Sequence, residues 1–341
     1  MNMNAFFHNL LSDTKKYALP ILSFPAAQKL HVSVREMLCS SALQAKAMEL
    51  VAHSTDTVAA VSFMDLSLEA EAFGATVAFR ENEIPAITGQ LVSDGEEANA
   101  LQVPDLSAGR IPIAIETIRL AKEKITEKPV FAGMIGPFSL AGRLMDVTEI
   151  LYTCYDDPES VREVLRKTTA FLKKYAAALK AAGADGILLA EPLCGILSPD
   201  MAEEFSCPYV KELIDCIQTK EFAVIYHNCG NSVPRMANSL YEMKAAAYHF
   251  GNAVDMYRML QDAPADVLLL GNIDPVSCFT KGTPKQIKER TMALLETCGT
   301  YQNFILSSGC DIPYTASWEN IDAFFEALAE YNQAHETVNA M

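Results

Sequence analysis

Three residues are the best placed in this chain to do chemistry together: His227, Cys229 and Cys310. His227 and Cys229 stand two apart in His227-Asn228-Cys229-Gly230, at the end of the apolar run 222–226. In an extended segment, residues i and i+2 project to the same side. An imidazole and a thiolate on one side suit a borderline-soft ion such as Zn²⁺. Gly230 lets the backbone bend away after the second candidate ligand. Cys310 stands far downstream, in the loop Ser308-Gly309-Cys310-Asp311 that follows the apolar run 304–307. If both runs are strands of one closed barrel, their ends meet at one mouth and Cys310 joins the pair. Three protein ligands with a fourth position open are the pattern of a catalytic zinc, not a structural one. The plainer reading, a buried His and buried thiols packed in a core, stands beside this one on spacing alone.

Other polar residues end neighbouring apolar runs. Glu191 follows 186–190 and is read as a fourth ligand at rest or as a nearby acid, or simply as a capped or salt-bridged loop carboxylate. Asp65 and Asn272 fall on the same face and are read as binding residues, although Asp65 equally fits an Asx-turn. Asp274, before Pro275, reads as a turn and helix-cap residue. His249 is either a hydrogen-bonded barrel residue or a further ligand.

These placements depend on the elements that carry them. Apolar runs recur at 18–24, 57–63, 129–135, 186–190, 222–226, 245–250, 267–270 and 304–307, with a small excursion at 76–79. Continuous runs of this kind fit strands buried on both faces, as in a parallel sheet. Long amphipathic helices separate most of them. Asp157-Pro158, Ser198-Pro199 and Thr283-Pro284 each pair a capping residue with a proline at the first helical position. The first of these helices should stop at Gly183 and the third near Gly299. The second should carry Tyr209, Val210, Leu213, Ile214 and Ile217 on its apolar stripe. The last helix should run from about Trp318 to about Ala334. The pattern predicts an α/β protein, a (β/α)8 TIM barrel over 18–341 in a single domain, with an N-terminal helical segment over 1–17. An open doubly wound sheet is disfavoured, because no glycine-rich phosphate turn follows the first strand.

Composition sets outer bounds. The chain has 341 residues, 50% of them hydrophobic and 21% charged, with a formal net charge of −16. That charge repels nucleic acid, and no basic stripe offsets it. No run approaches the ~20 apolar residues of a membrane span, and the first residues do not read as a signal peptide. Nine cysteines, an odd number at irregular spacing, do not form a secreted disulfide framework. A cytoplasmic enzyme is expected, with most of its cysteines inert.

Six stretches carry a resemblance to a known family. They are 64–74, Gly136-Pro137-Phe138-Ser139-Leu140-Ala141, Ala182-Gly183-Ala184-Asp185-Gly186, His227-Asn228-Cys229-Gly230, Gly271-Asn272-Ile273-Asp274-Pro275 and Ser308-Gly309-Cys310-Asp311-Ile312-Pro313. Together they resemble the uroporphyrinogen decarboxylase superfamily, and within it the methylcobamide:coenzyme M methyltransferase branch. The resemblance implies a His-x-Cys…Cys zinc site made of His227, Cys229 and Cys310. It implies methyl transfer from a methylated corrinoid, carried on a separate corrinoid protein that docks at the barrel mouth, to a small thiol such as coenzyme M. Glu191 would leave the metal, or stay near it, when the thiol enters. The decarboxylases of the superfamily bind substrate carboxylates through an Arg-rich N-terminal segment. Here residues 22–28 contain no arginine.

Three alternatives accompany this reading. One is decarboxylation of a tetrapyrrole or related acid. Another is methyl transfer to a different acceptor, such as a pterin. The third is a barrel that binds its partner without turnover.

Overall fold

The structure is a computed structural model and describes residues 1–339. Its centre is a curled parallel sheet. The strands are β1 (Ala60–Val61), β4 (Val130–Ile135), β5 (Gly186–Ala190), β6 (Ala223–Asn228), β7 (Ala247–Phe250), β8 (Leu268–Ile273) and β9 (Phe304–Ser308), adjacent in that order. The run at 18–24 closes the two edges of this sheet. Ala18 bridges in parallel to Thr57 on one side and to Leu306 on the other. The Val58 amide donates to the Ala18 carbonyl at 2.9 Å, and the Leu19 amide donates to the Leu306 carbonyl at 2.9 Å. The eighth staff of the barrel is thus present, but its regular pairing is limited to the bridges at Ala18. Further along, Ser308 Oγ accepts from the Ile21 amide in place of a backbone partner. The expected (β/α)8 architecture with an N-terminal helix is the one observed.

The pleat sorts each strand into two sets of side chains. Leu188, Ala223, Ile225, Ala247, Leu268, Leu270 and Ile305 point into the barrel and pack together. Their neighbours Ile187, Leu189, Val224, Tyr226, Tyr248 and Phe304 point outward to the helices. One pleat further toward the C-terminal ends, the inward series reaches His227, His249 and Ser307. The apolar filling therefore gives way to polar groups at the mouth, where TIM barrels carry their chemistry. At the opposite end the helix Met3–Ser12 presses Met3, Phe7 and Leu10 against the same inner core. Asn2 caps it, and the Met3 amide donates to the Lys220 carbonyl at 2.7 Å.

Two elements differ from the sequence reading. The helix opened by Ser198-Pro199 is two helices, Pro199–Phe205 and Cys207–Ile217, broken at Ser206. Pro208 is the reason: it has no N–H for the carbonyl four residues back, and its ring crowds that carbonyl. The excursion at 76–79 is half of an antiparallel hairpin, β2 (Thr76–Ala78) with β3 (Ala86–Thr88). Both its strands are largely exposed, so no apolar run announces the second. Its tip residues Ile84 and Pro85, with Ile87, reach over the mouth.

The other expected helices form at their caps. Pro158–Ala181 starts on Asp157 and ends before Gly183, whose φ of 106° fits glycine in a helix stop. Pro284–Cys298 starts on a capping box of Thr283 and Gln286. Among the described residues no helix is long and apolar enough to cross a membrane.

Candidate metal centre at the barrel mouth

His227 is the penultimate residue of β6, level with Ala190 of β5 and His249 of β7. Cys229 follows it by two residues, and Cys310 enters from the loop after β9. One ligand atom from each of the three lies within 4.8 Å of the others. Cys310 Sγ is 3.6 Å from His227 Nε2. A tetrahedral zinc with Zn–S of about 2.3 Å and Zn–N of about 2.0–2.1 Å spaces S and N about 3.6 Å apart. The donor set and its spacing therefore fit a zinc ion. Among the described residues this is the one group of three or more His, Cys, Asp or Glu close enough to share an ion.

Hydrogen-bond polarity prepares the imidazole. The hydroxyl of Ser307 donates to the Leu19 carbonyl at 2.6 Å, so its oxygen is free to accept. His249 Nε2, 2.7 Å away, is the donor to it. His249 is wholly buried, and burial with His227 beside it holds its pKa well below the usual value. A neutral ring with its proton on Nε2 leaves Nδ1 as an acceptor. His227 Nδ1, at 2.8 Å, must then donate. This assignment leaves the lone pair of His227 Nε2 facing Cys310. Such a partner for the far nitrogen is the usual support of a metal-binding histidine.

The two thiols differ. Contact with Cys310 and with His227 pushes the Cys229 pKa down to about 4. The same contact, with burial, pushes Cys310 well up. Without an ion, one thiolate and one thiol share the site.

Gly230 works by space, not by an unusual φ. A Cβ there would lie 2.4 Å from the Cα of Gly195, so the loops after β5 and β6 touch backbone to backbone. That approach fixes where Cys229 sits.

Glu191 is brought near but not into the group. Its wholly buried carboxylate accepts from the Phe138 amide at 3.1 Å, the Ser139 amide at 2.6 Å and the Ser139 hydroxyl. It caps the helix Pro137–Met145, whose N-terminus has no side-chain cap of its own. Burial pushes its pKa up to about 8 despite these donors. Asp65 is an Asx-type residue: it accepts from the Ser67 amide at 3.0 Å and pairs with Arg110. The Asn272 amide group donates to the carbonyls of Gly251 at 2.9 Å and Val254 at 2.7 Å, tying down the loop after β7. Asp274 caps the short helix Pro275–Thr280.

A cavity of about 220 Å³ opens on the three ligand atoms. Ile21, Met64, Leu66 and Ile87 supply apolar walls; Arg143 supplies positive charge, and Asp311 a wholly buried carboxyl group whose pKa burial pushes well up. Sequence reading passed over these last two. Asp311 had a signal, standing next to Cys310; both its oxygens are buried without a hydrogen-bond partner. Arg143 had none, since it lies in the interior of a helix.

A parallel α/β barrel with a metal-capable group at its C-terminal mouth defines a TIM-barrel enzyme. The chain belongs to the uroporphyrinogen decarboxylase (URO-D) family, whose model matches residues 19–331. Its curated relatives include both methyltransferases and decarboxylases. A methylcobamide:CoM methyltransferase of Methanosarcina acetivorans is 27% identical over 274 residues, 78% of each chain. A uroporphyrinogen decarboxylase of Xylella fastidiosa is 26% identical over 290 residues, 79% of each chain. Among solved structures, a methyltransferase from Methanosarcina mazei shares the fold with a TM-score of 0.86, at 22% identity over 96% of this chain and 97% of that one.

Proposed function

We propose that this protein is a zinc-dependent methyltransferase that moves a methyl group from a methylated corrinoid to a small thiol such as coenzyme M. The observation that carries the reading is the convergence of His227 Nε2, Cys229 Sγ and Cys310 Sγ on one point in the cavity. Methylcobamide:CoM methyltransferases among the relatives support it, as does a methylated-thiol–coenzyme M methyltransferase of Methanosarcina mazei, 26% identical over 271 residues. A zinc ion held by the three residues would supply one thing: it would let a bound thiol exist as thiolate at neutral pH.

The protein's residues do the rest. His249 and Ser307 hold the His227 ring so that its lone pair faces the site. Cys229 and Cys310 bring negative charge, which keeps an acceptor thiolate electron-rich. Ile21, Met64 and Leu66 keep the surroundings apolar, and a desolvated thiolate is the stronger nucleophile. The acceptor sulfur then forms its bond to the methyl carbon as the cobalt–carbon bond breaks. The bonding pair stays on cobalt, which passes from Co(III) to Co(I). The thiol proton leaves to solvent. A corrin is far too large for a cavity of about 220 Å³, so the donor must present its methyl group from outside, on a corrinoid protein docked at the mouth. The same size argues against a polycarboxylate tetrapyrrole inside the cavity.

The test is metal analysis of the purified protein, joined to thiol methylation by methylcobalamin. About one zinc per chain and zinc-dependent methylation are expected. A metal-free protein whose Cys229→Ser/Cys310→Ser variant is folded and equally active, or turnover of uroporphyrinogen instead, would overturn the reading.

A further inference from the structure

A second sulfur group lies beside the metal centre and outside it. Cys194, in the short turn Pro192–Ile196 after β5, is wholly buried. Cys207 starts the helix Cys207–Ile217 and is 7% exposed. Both are free thiols, and they touch. Met236 Sδ lies 3.7 Å from Cys194 Sγ. Donors gather on Cys194. The Tyr226 hydroxyl accepts from Asn228 Nδ2 at 3.1 Å, which leaves its own hydrogen for the Cys194 sulfur beside it. The Ser206 hydroxyl, buried with no other partner, lies against the same sulfur. Contact with Cys207 pulls the Cys194 pKa down, and these hydroxyls add to the lowering, against burial. Contact with Cys194 and burial push Cys207 well up. One sulfur of the pair is thus prepared as thiolate, the form that reacts with oxidants, and the other stands against it as a thiol.

The same turn is tied to the loop that carries Cys229. Gly195 and Gly230 meet backbone to backbone, and the Ser232 amide donates to the Gly195 carbonyl at 3.3 Å. From Tyr226 the contacts run on through Asn228, whose Oδ1 accepts from the Gly230 amide at 2.9 Å.

We infer that Cys194 and Cys207 form an oxidation site that a small hydroperoxide converts to a reversible disulfide, and that closing this disulfide weakens the hold of the Cys229 loop on its metal. In the first step the Cys194 thiolate attacks a peroxide oxygen. An S–O bond forms, the O–O bond breaks, and the leaving hydroxide takes up a proton as water. In the second step the Cys207 sulfur attacks the Cys194 sulfur. The S–S bond forms, the S–O bond breaks, and the Cys207 proton leaves with the hydroxide as a second water. The two sulfurs lose two electrons and the peroxide gains them. A pair that reaches solvent only at the edge of Cys207 suits a small oxidant and excludes a bulky disulfide. The sulfurs pass from non-bonded contact to about 2.05 Å. Gly195, next to Cys194, carries that movement to Gly230, next to Cys229, whereas a metal site tolerates about 0.2 Å. The metal half of the inference rests on the zinc reading above; the disulfide itself does not.

The test adds hydrogen peroxide stepwise to the full zinc-loaded chain, blocks free thiols with N-ethylmaleimide in denaturant and maps the peptides by mass spectrometry. A Cys194–Cys207 crosslink that dithiothreitol removes is expected. Exposed Cys39 and Cys216 report the dose that oxidises lone thiols. Cys207→Ser should form no crosslink and should leave Cys194 as a sulfenic acid that dimedone traps; Cys207→Ala is a second variant of the same kind. Oxidation should weaken zinc binding by the wild type about 10- to 100-fold, the range for disturbing groups that support metal ligands. Reduction and desalting should restore it, and Cys207→Ser should be spared. Cys194 and Cys207 left unlinked at a dose that oxidises Cys39 and Cys216 would overturn the inference. A complete crosslink with unchanged zinc affinity would overturn its metal half. If the unoxidised chain binds no zinc, the zinc reading fails by itself, and the peptide map still decides the disulfide.

Discussion

His227 Nδ1 and His249 Nδ1 face each other at 2.8 Å, and the chain of donors that ends on the Leu19 carbonyl decides which of them carries the proton. Because His249 donates from Nε2, it can only accept at Nδ1. His249 is therefore the residue that turns His227 into a ligand through Nε2. His249→Phe removes that acceptor while keeping a ring in the space. Loss of such a supporting partner typically weakens metal affinity about 10- to 100-fold. A competition titration against a zinc indicator should show a loss of that size, with the far-UV dichroism of the barrel retained. Unchanged affinity would mean that His227 does not bind through the prepared nitrogen.

The asymmetry of the two thiols gives a proton count. Cys229 is held as thiolate by its neighbours, whereas Cys310 keeps its proton until an ion arrives. Zinc binding near neutral pH should therefore release about one proton, not two. Calorimetry of zinc binding in buffers of different ionisation enthalpy measures this directly. Below the depressed Cys229 pKa the count should rise, because that thiol then also has a proton to lose, and the affinity should fall. A count near two at neutral pH would remove the resident thiolate.

These features were unequally legible in the sequence. The barrel could be read because parallel strands buried on both faces leave unbroken apolar runs, and because Asp157, Ser198 and Thr283 each precede a proline. His227, Cys229 and Cys310 could be read because sulfur and imidazole at strand ends are chemically distinctive. Glu191 was visible as a carboxylate at a strand end, but its direction was not. Its three donors lie on residues 138 and 139, and nothing local announces that contact. Pro208 announced the break at Ser206, but the apolar stripe running past it masked the signal. Arg143 was illegible for a different reason. An arginine in a helix usually meets a carboxylate or solvent, and that this one borders the metal cavity appears only once every neighbour is in place.

Glu191 offers a sharp separation between ligand and anchor. As anchor, it satisfies two buried amides and a hydroxyl at the start of the helix that carries Arg143. Glu191→Ala leaves those donors unpaired and is expected to cost about 2–4 kcal/mol. Glu191→Gln keeps one carbonyl acceptor and should cost less. Both variants should retain about one zinc per chain, because the carboxylate lies outside the group of three ligand atoms. Urea unfolding and metal analysis on the same samples check the two statements together. A stable Gln variant stripped of zinc would make Glu191 a ligand.

Glu69 sets a pH dependence that can be assigned to one group. It is wholly buried near the mouth; Oε1 accepts from the Ile135 amide at 3.1 Å, and Oε2 has no partner. Burial raises its pKa from 4.5 to about 8. In the folded protein it therefore holds its proton across a range where the unfolded chain has released it. The folded state binds the extra proton, so this group's contribution to stability falls as pH rises. It is fully present below pH 4.5, declines between 4.5 and about 8, and is lost above. The slope within the window is about 1.4 kcal/mol per pH unit at most. Glu69→Gln, neutral at every pH, lacks this dependence. The difference in unfolding free energy between wild type and Glu69→Gln, from urea titrations at pH 5, 6.5 and 8, should shift steadily toward the variant as pH rises. A difference that is flat with pH would place the Glu69 pKa in the ordinary range and show that water reaches its carboxyl group.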